Sequence, residues 1–104
     1  MEKDPGFHWE DLVLLYIFKK GATYFSDIMY NVTYHPQRTA RVINKLERQG
    51  LIQSEYRDYT TPEGKPIKKM RIITLTEKGL EYVKNHLLPK IKNMNISQQT
   101  NKDG

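Results

Sequence analysis

Between Pro36 and Leu75 the chain changes its hydrophobic period once, and that switch narrows the folds open to it. Thr39, Val42, Ile43 and Leu46 recur at helical spacing over residues 36–49, and Gly50 follows as a stop. Pro36 suits the first helical position, where its missing N–H costs nothing, and His35 before it is expected to be extended. The next two runs, Leu51 to Tyr59 and Ile67 to Leu75, are rich in Tyr, Ile and Thr and enclose the turn-forming stretch Thr60 to Pro66. Pro62 fits position i+1 and Gly64 position i+3 of a type I turn, so a helix leads directly into a β-hairpin with a polar tip.

Upstream, His8 to Lys20 reads as a helix. Trp9, Leu12, Val13 and Tyr16 form one expected face, and Leu15 and Phe18 extend the apolar surface to a second. Lys19 and Lys20 suit the C-terminal end and Gly21 the left-handed position beyond it. After an extended stretch, Ala22 to Phe25, Ser26 is the expected N-cap of a short second helix with Asp27 in its first turn. Its buried side would be Ile28, Met29 and Val32, and it should end around Asn31 to Tyr34. Downstream, Thr76 caps a last helix from Glu77 with Leu80, Val83, Leu87 and Ile91 at helical spacing, and Pro89 should kink or end it near Leu88. Residues 1–94 are read as one domain and 95–104 as a disordered polar tail. The fold class is therefore α+β: a winged helix-turn-helix with a three-helix core, a two-stranded β wing and a C-terminal helix.

The 104 residues include no cysteine, which excludes disulfides, thiolate metal sites and thiol catalysis. His8, His35 and His86 lack metal-ligand spacing, no nucleophile motif frames a Ser or Asp, and no glycine-rich phosphate loop is present, so neither enzyme activity nor a cofactor is expected. The densest apolar run, Leu12 to Phe18, is too short for a membrane span, and Met-Glu-Lys-Asp-Pro does not begin a secretory signal; a cytoplasmic location is the expectation. The formal net charge of +5 is unevenly spread. Residues 1–34 hold three basic against five acidic residues, whereas residues 35–75 hold nine basic against four acidic ones. A basic excess confined to the middle of the chain suits a surface that meets a polyanion.

On the helix of residues 36–49, Gln37, Arg38, Arg41, Asn44, Lys45 and Arg48 fall opposite the apolar stripe. Arg and Asn or Gln have the bidentate geometry for guanine and adenine edges. Gln37, Arg38 and Arg41, with Asn44, are the base-reading candidates, and Lys45 and Arg48 suit phosphate. His35 would sit in the turn near phosphate. The hairpin (residues 53–74) offers Arg57, Lys65, Lys68, Lys69 and Arg71, interleaved with Tyr56 and Tyr59, to the DNA backbone or minor groove. Lysines there also protect sheet edges from aggregation.

Three stretches carry a family resemblance: Ser26-Asp27-Ile28, the run from Thr39 through Lys45-Leu46-Glu47-Arg48-Gln49-Gly50 to Leu51-Ile52, and Leu75-Thr76-Glu77-Lys78-Gly79 after the hairpin. In order and separation the chain resembles winged-helix transcription regulators of the MarR and PadR type, and in size it is similar to the compact members of archaea and their viruses. The resemblance implies sequence-specific binding of double-stranded DNA. In that family the turn before the recognition helix often carries Gly, where this chain has Thr33 and Tyr34. Effector sensing does not carry over, because those proteins build their dimer and ligand pocket with further helices at both ends. The other readings are a winged-helix protein–protein module and a sequence-independent architectural DNA binder. A homodimer is expected, with Leu15, Phe18, Tyr82, Leu87, Leu88, Ile91 and Met94 as its interface, since the terminal helices carry more apolar surface than so small a core absorbs.

Overall fold

The computed structural model describes residues 7–92. Helix α1 (Trp9–Lys20) begins after His8, whose N–H donates to the Asp11 carboxylate at 3.1 Å. It ends at Gly21, which takes φ 86° and returns its N–H to the Ile17 carbonyl at 2.7 Å. The buried line of α1 is Val13, Leu14 and Ile17; of the expected Trp9, Leu12, Val13 and Tyr16, only Val13 belongs to it. The helix is apolar on nearly every side, so helical spacing admits more than one face, and packing chooses between them. Trp9, Leu12, Leu15, Tyr16 and Phe18 lie half-buried around that line.

Helix α2 is a single turn (Phe25–Ile28) that widens at once into a π turn (Met29–Thr33). Tyr24, rather than Ser26, takes the N-cap position. The start is fixed from a distance: Thr23 forms an isolated β-bridge with Ile73 of the hairpin, through backbone bonds of 3.0 and 2.7 Å. Asp27 gathers the region together by accepting from Thr23 Oγ1 at 2.6 Å, Tyr16 Oη at 2.9 Å and Asn31 Nδ2 at 2.9 Å. Ile28 and Thr33 are buried; Met29 and Val32 are only half so.

Tyr34 follows with a left-handed backbone, φ 69°. His35 is extended and Pro36 opens α3 (Pro36–Arg48), as expected. The buried residues of α3 are Thr39, Val42, Ile43 and Leu46, again as expected. The hydroxyls of Thr33 and Thr39 hydrogen-bond across the turn, and Thr39 Oγ1 donates to the His35 carbonyl at 2.7 Å.

At the other end of α3 the chain turns through Gly50 and is clamped from below. Leu51 O accepts from Thr76 N at 3.1 Å, Gly50 O from Thr76 Oγ1 at 2.6 Å, and Gln49 O from Lys78 Nζ at 3.0 Å. Gly79 packs so closely that a Cβ there would lie 2.0 Å from the Leu51 carbonyl oxygen. These contacts give the Leu-Thr-Glu-Lys-Gly stretch its physical sense, since Thr76, Lys78 and Gly79 each serve the corner.

The hairpin pairs β1 (Ile52–Thr60) with β2 (Pro66–Leu75) in antiparallel register, from Ile52–Leu75 to Thr60–Pro66. At its tip Gly64 N donates to Thr61 O at 2.8 Å, the closing bond of the expected turn. Helix α4 (Glu77–Tyr82) is capped by Thr76, whose hydroxyl accepts from Gly79 N at 3.0 Å. A second π turn (Val83–Leu87) follows, and residues 88–92 resume the α-helix through Pro89. The helix does not end near Leu88. The π turn sits just ahead of the proline and changes which carbonyls face its ring, a usual way for a helix to accommodate irregularity.

The core gathers Val13, Leu14, Ile17, Ile28, Ile43, Leu46, Ile73, Val83 and Leu87 from every helix and the hairpin. Leu87, expected at a dimer interface, is only 1% exposed: it lies one turn beyond Val83 on the inward side. Met94 and the tail 95–104 lie outside the described residues.

Candidate nucleic-acid interface

The outward surface of α3 follows from its single buried stripe. Gln37, Arg41, Asn44 and Arg48 are exposed, and among the described residues no ion pair or side-chain hydrogen bond engages them. Lys45 is exposed too, but its ammonium lies 3.2 Å from Glu10 of α1. Arg38 is half-buried and turned inward. It donates to the Thr33 carbonyl at 2.8 Å, and its guanidinium lies 4.4 Å from the Trp9 ring centroid. Arg38 thus ties the turn before α3 to the start of α1, a use that its place opposite the apolar stripe does not reveal.

On the hairpin, Arg57, Lys65, Lys68 and Lys69 are exposed, whereas Arg71 is half-buried. Arg71 Nε donates to Ser54 Oγ at 2.9 Å and its Nη2 lies 3.0 Å from the Glu47 carboxylate, which also accepts from Ser54. Burial pushes the Glu47 carboxyl up, but the Ser54 and Arg71 hydrogen bonds and the arginine charge outweigh it and hold it below the usual carboxylate range. This three-residue bridge fixes the hairpin beside the C-terminal half of α3. The register shifts between Arg57 and Tyr59, so that Lys68 and Lys69 together stand opposite Asp58, a β-bulge.

No protein-family model matches the sequence, and no curated protein matches it. Solved structures do. The apo form of a Lactococcus lactis ZitR double mutant superposes with a TM-score of 0.74 at 18% identity, covering 92% of this chain and 67% of that one. Wild-type ZitR in complex with DNA gives 0.68 at 18% identity, covering 99% of this chain and 66% of that one. A MarR family transcriptional regulator from Silicibacter pomeroyi gives 0.69 at 16% identity, covering 86% and 54%. The fold is a MarR-type winged helix. This chain spans about two thirds or less of the length of those proteins.

Within the winged helix, α2 and α3 are the helix-turn-helix pair and the hairpin is the wing. Of the residues assigned by sequence to a dimer interface, Leu15, Phe18, Tyr82, Leu88 and Ile91 are half-buried against the core, so each keeps part of its surface outside. Among the described residues no helix is long and apolar enough to cross a membrane, and no cluster of His, Asp and Glu could hold a metal ion. Sequence reasoning missed the most exposed aromatics at the turn, Tyr30 at 70% and Tyr34 at 65%. A signal existed for Tyr34 alone, a tyrosine standing where the resemblance leads one to expect glycine.

Proposed function

We propose that this chain is a sequence-specific double-stranded DNA-binding regulator of transcription, with α3 in the major groove and the wing on the backbone or in the minor groove. The observation that carries this reading is the outward face of α3. Gln37, Arg41, Asn44 and Arg48 are side chains suited to base edges and phosphates, exposed along one helix that fits the groove, with no ion-pair or side-chain hydrogen-bond partner among the described residues. A similarly folded protein, ZitR, is known in complex with DNA, which supports the reading. The working unit is a homodimer formed through the outer sides of α1, α4 and the helical residues 88–92, by Leu15, Phe18, Tyr82, Leu88 and Ile91. A two-fold pair would present its α3 helices to successive major grooves about 34 Å apart.

Selection of duplexes from a random pool, followed by salt titration on selected and random DNA, tests the function. Tight binding to selected DNA with a steep salt dependence is the expected result. Equal affinity for both pools would make the chain an architectural binder, and no binding would favour a protein-docking module. Sedimentation at micromolar concentration tests the dimer: the wild type is expected to be dimeric and the Leu88→Glu/Ile91→Glu variant monomeric. A monomeric wild type, or a dimeric double variant, would remove this interface.

A further inference from the structure

Among the described residues, only two other than glycine hold a left-handed backbone: Tyr34 at φ 69° and Lys69 at φ 54°. A Cβ is strained in that region, which glycine and asparagine tolerate best. Neither side chain stabilises the fold in return. Tyr34 is 65% exposed, and its hydroxyl reaches only the Asn31 carbonyl, at a long 3.5 Å. The turn uses the backbone of residue 34, whose N–H donates to Met29 O at 2.6 Å; glycine would supply that bond equally well. Residue 69 is used in the same way. Its backbone N–H donates to Asp58 Oδ1 at 3.2 Å and closes the wing bulge, while the Lys69 side chain is exposed and pairs with no described acid.

Location gives the strain its meaning. Tyr34 precedes α3 by a single extended residue, and Lys69 lies in the wing, so both occupy elements that would approach DNA. Strain kept where glycine would relieve it points to a side chain that is needed by something outside the fold. We propose that Tyr34 and Lys69 are two phosphate anchors for duplex DNA. The Tyr34 phenol donates to the backbone where α3 enters the groove, and the Lys69 ammonium meets a phosphate beneath the wing. This rests on the DNA-binding reading above. Both contacts position the protein without reading bases. One anchor is neutral and the other cationic, so salt distinguishes them.

Tyr34→Gly and Lys69→Gly, made in the full chain, test this by thermal melting and by fluorescence anisotropy on selected and random duplexes across a salt series. Each variant is expected to melt a few degrees higher than the wild type, because the strain is gone. Each should also bind both duplexes about five- to tenfold more weakly. The salt slope should flatten by about one ion for Lys69→Gly, stay unchanged for Tyr34→Gly, and be restored in Lys69→Arg. Tyr34→Asn and Lys69→Asn, which tolerate the same backbone without glycine's added freedom, should repeat both trends. Wild-type affinity in the glycine and asparagine variants overturns the proposal, as does a lower melting temperature in both, which would show the side chains serving the fold. If Arg41→Ala loses binding while these variants keep it, DNA binding stands and the anchors fall. If the wild type binds no duplex, both fall together.

Discussion

Helix α3 buries Thr39, Val42, Ile43 and Leu46 and gives most of its remaining surface to water, whereas α1 buries Val13, Leu14 and Ile17 and leaves five more large apolar residues half-covered around them. The two helices share the same core, and at its edge Arg38 lies over the Trp9 ring and Lys45 pairs with Glu10. A narrow stripe with polar residues elsewhere frees a helix to meet an outside partner. An apolar surface all round makes a helix the hub that its neighbours pack on. Damage to α1 should therefore appear as lost stability, and damage to the outer face of α3 as lost binding.

The largest expected effect comes from the hub. Ile17→Ala removes a fully buried side chain and should lower stability by about 2–5 kcal/mol in a denaturant melt. A cost below about 1 kcal/mol would mean that α1 is not the hub of the core. The complementary change, Arg41→Ala, should leave stability within about 0.5 kcal/mol of the wild type. It should weaken binding to the preferred DNA by about 1–3 kcal/mol and relax preference at one base position. Lys68→Ala, on the wing, should instead weaken all duplexes alike. Equal losses on selected and random DNA for Arg41→Ala would strip α3 of its reading role.

The same contrast explains what could be read from the sequence. For α3, Pro36, Gly50 and one clean stripe admit a single orientation, so its ends and its buried face were legible. For α1, apolar residues on nearly every side leave the rotation to packing with the hairpin and α4, which local spacing does not contain. The start of α2 lies two residues ahead of the cap chemistry of Ser26, because the Thr23–Ile73 bridge, made across fifty residues of chain, fixes it from a distance. The candidate site divides in the same way. Charge type and helix face located Arg38 and Arg71, yet their engagement with Thr33, Trp9, Ser54 and Glu47 depends on residues brought together only by the fold.

The two helices should also weaken at opposite ends of the pH scale. In α1, burial and the hydrogen bond to Asp27 push the Tyr16 phenol up to about 12. The folded state therefore favours the protonated phenol, and its contribution is complete below pH 10 and lost as pH rises towards 12. In α3, Glu47 is held below its ordinary value of 4.5, so its contribution is present above that pH and lost as acid protonates it. Each effect should be on the order of 1 kcal/mol or less, because both groups are partly exposed. Melting curves across pH should show Tyr16→Phe losing only part of the alkaline decline, since burial also raises Tyr24 and Tyr82, and Glu47→Gln losing only part of the acid one. A wild-type profile unchanged by either substitution would remove the contrast.

The smallest effect tests the link between the helices. Lys45 Nζ lies 3.2 Å from Glu10, with the two side chains 49% and 28% exposed, so the pair is solvent-screened and worth at most about 1 kcal/mol to the fold. Burial raises the Glu10 carboxyl, but its hydrogen bonds to its own backbone and to Lys45, with the lysine charge, bring it below its ordinary value. Glu10 is thus a standing anion beside a lysine of α3, and a phosphate has to compete with it. Glu10→Gln should leave the melting temperature nearly unchanged while raising DNA affinity about two- to fivefold. It should also steepen the salt slope by up to about one ion, as Lys45 becomes free to release a counterion on binding. Adding Lys45→Ala to that variant should cancel both changes. If Glu10→Gln alters neither affinity nor slope, Lys45 belongs to the α1–α3 contact rather than to the outer face, and the surface of α3 available to DNA is narrowed to Gln37, Arg41, Asn44 and Arg48.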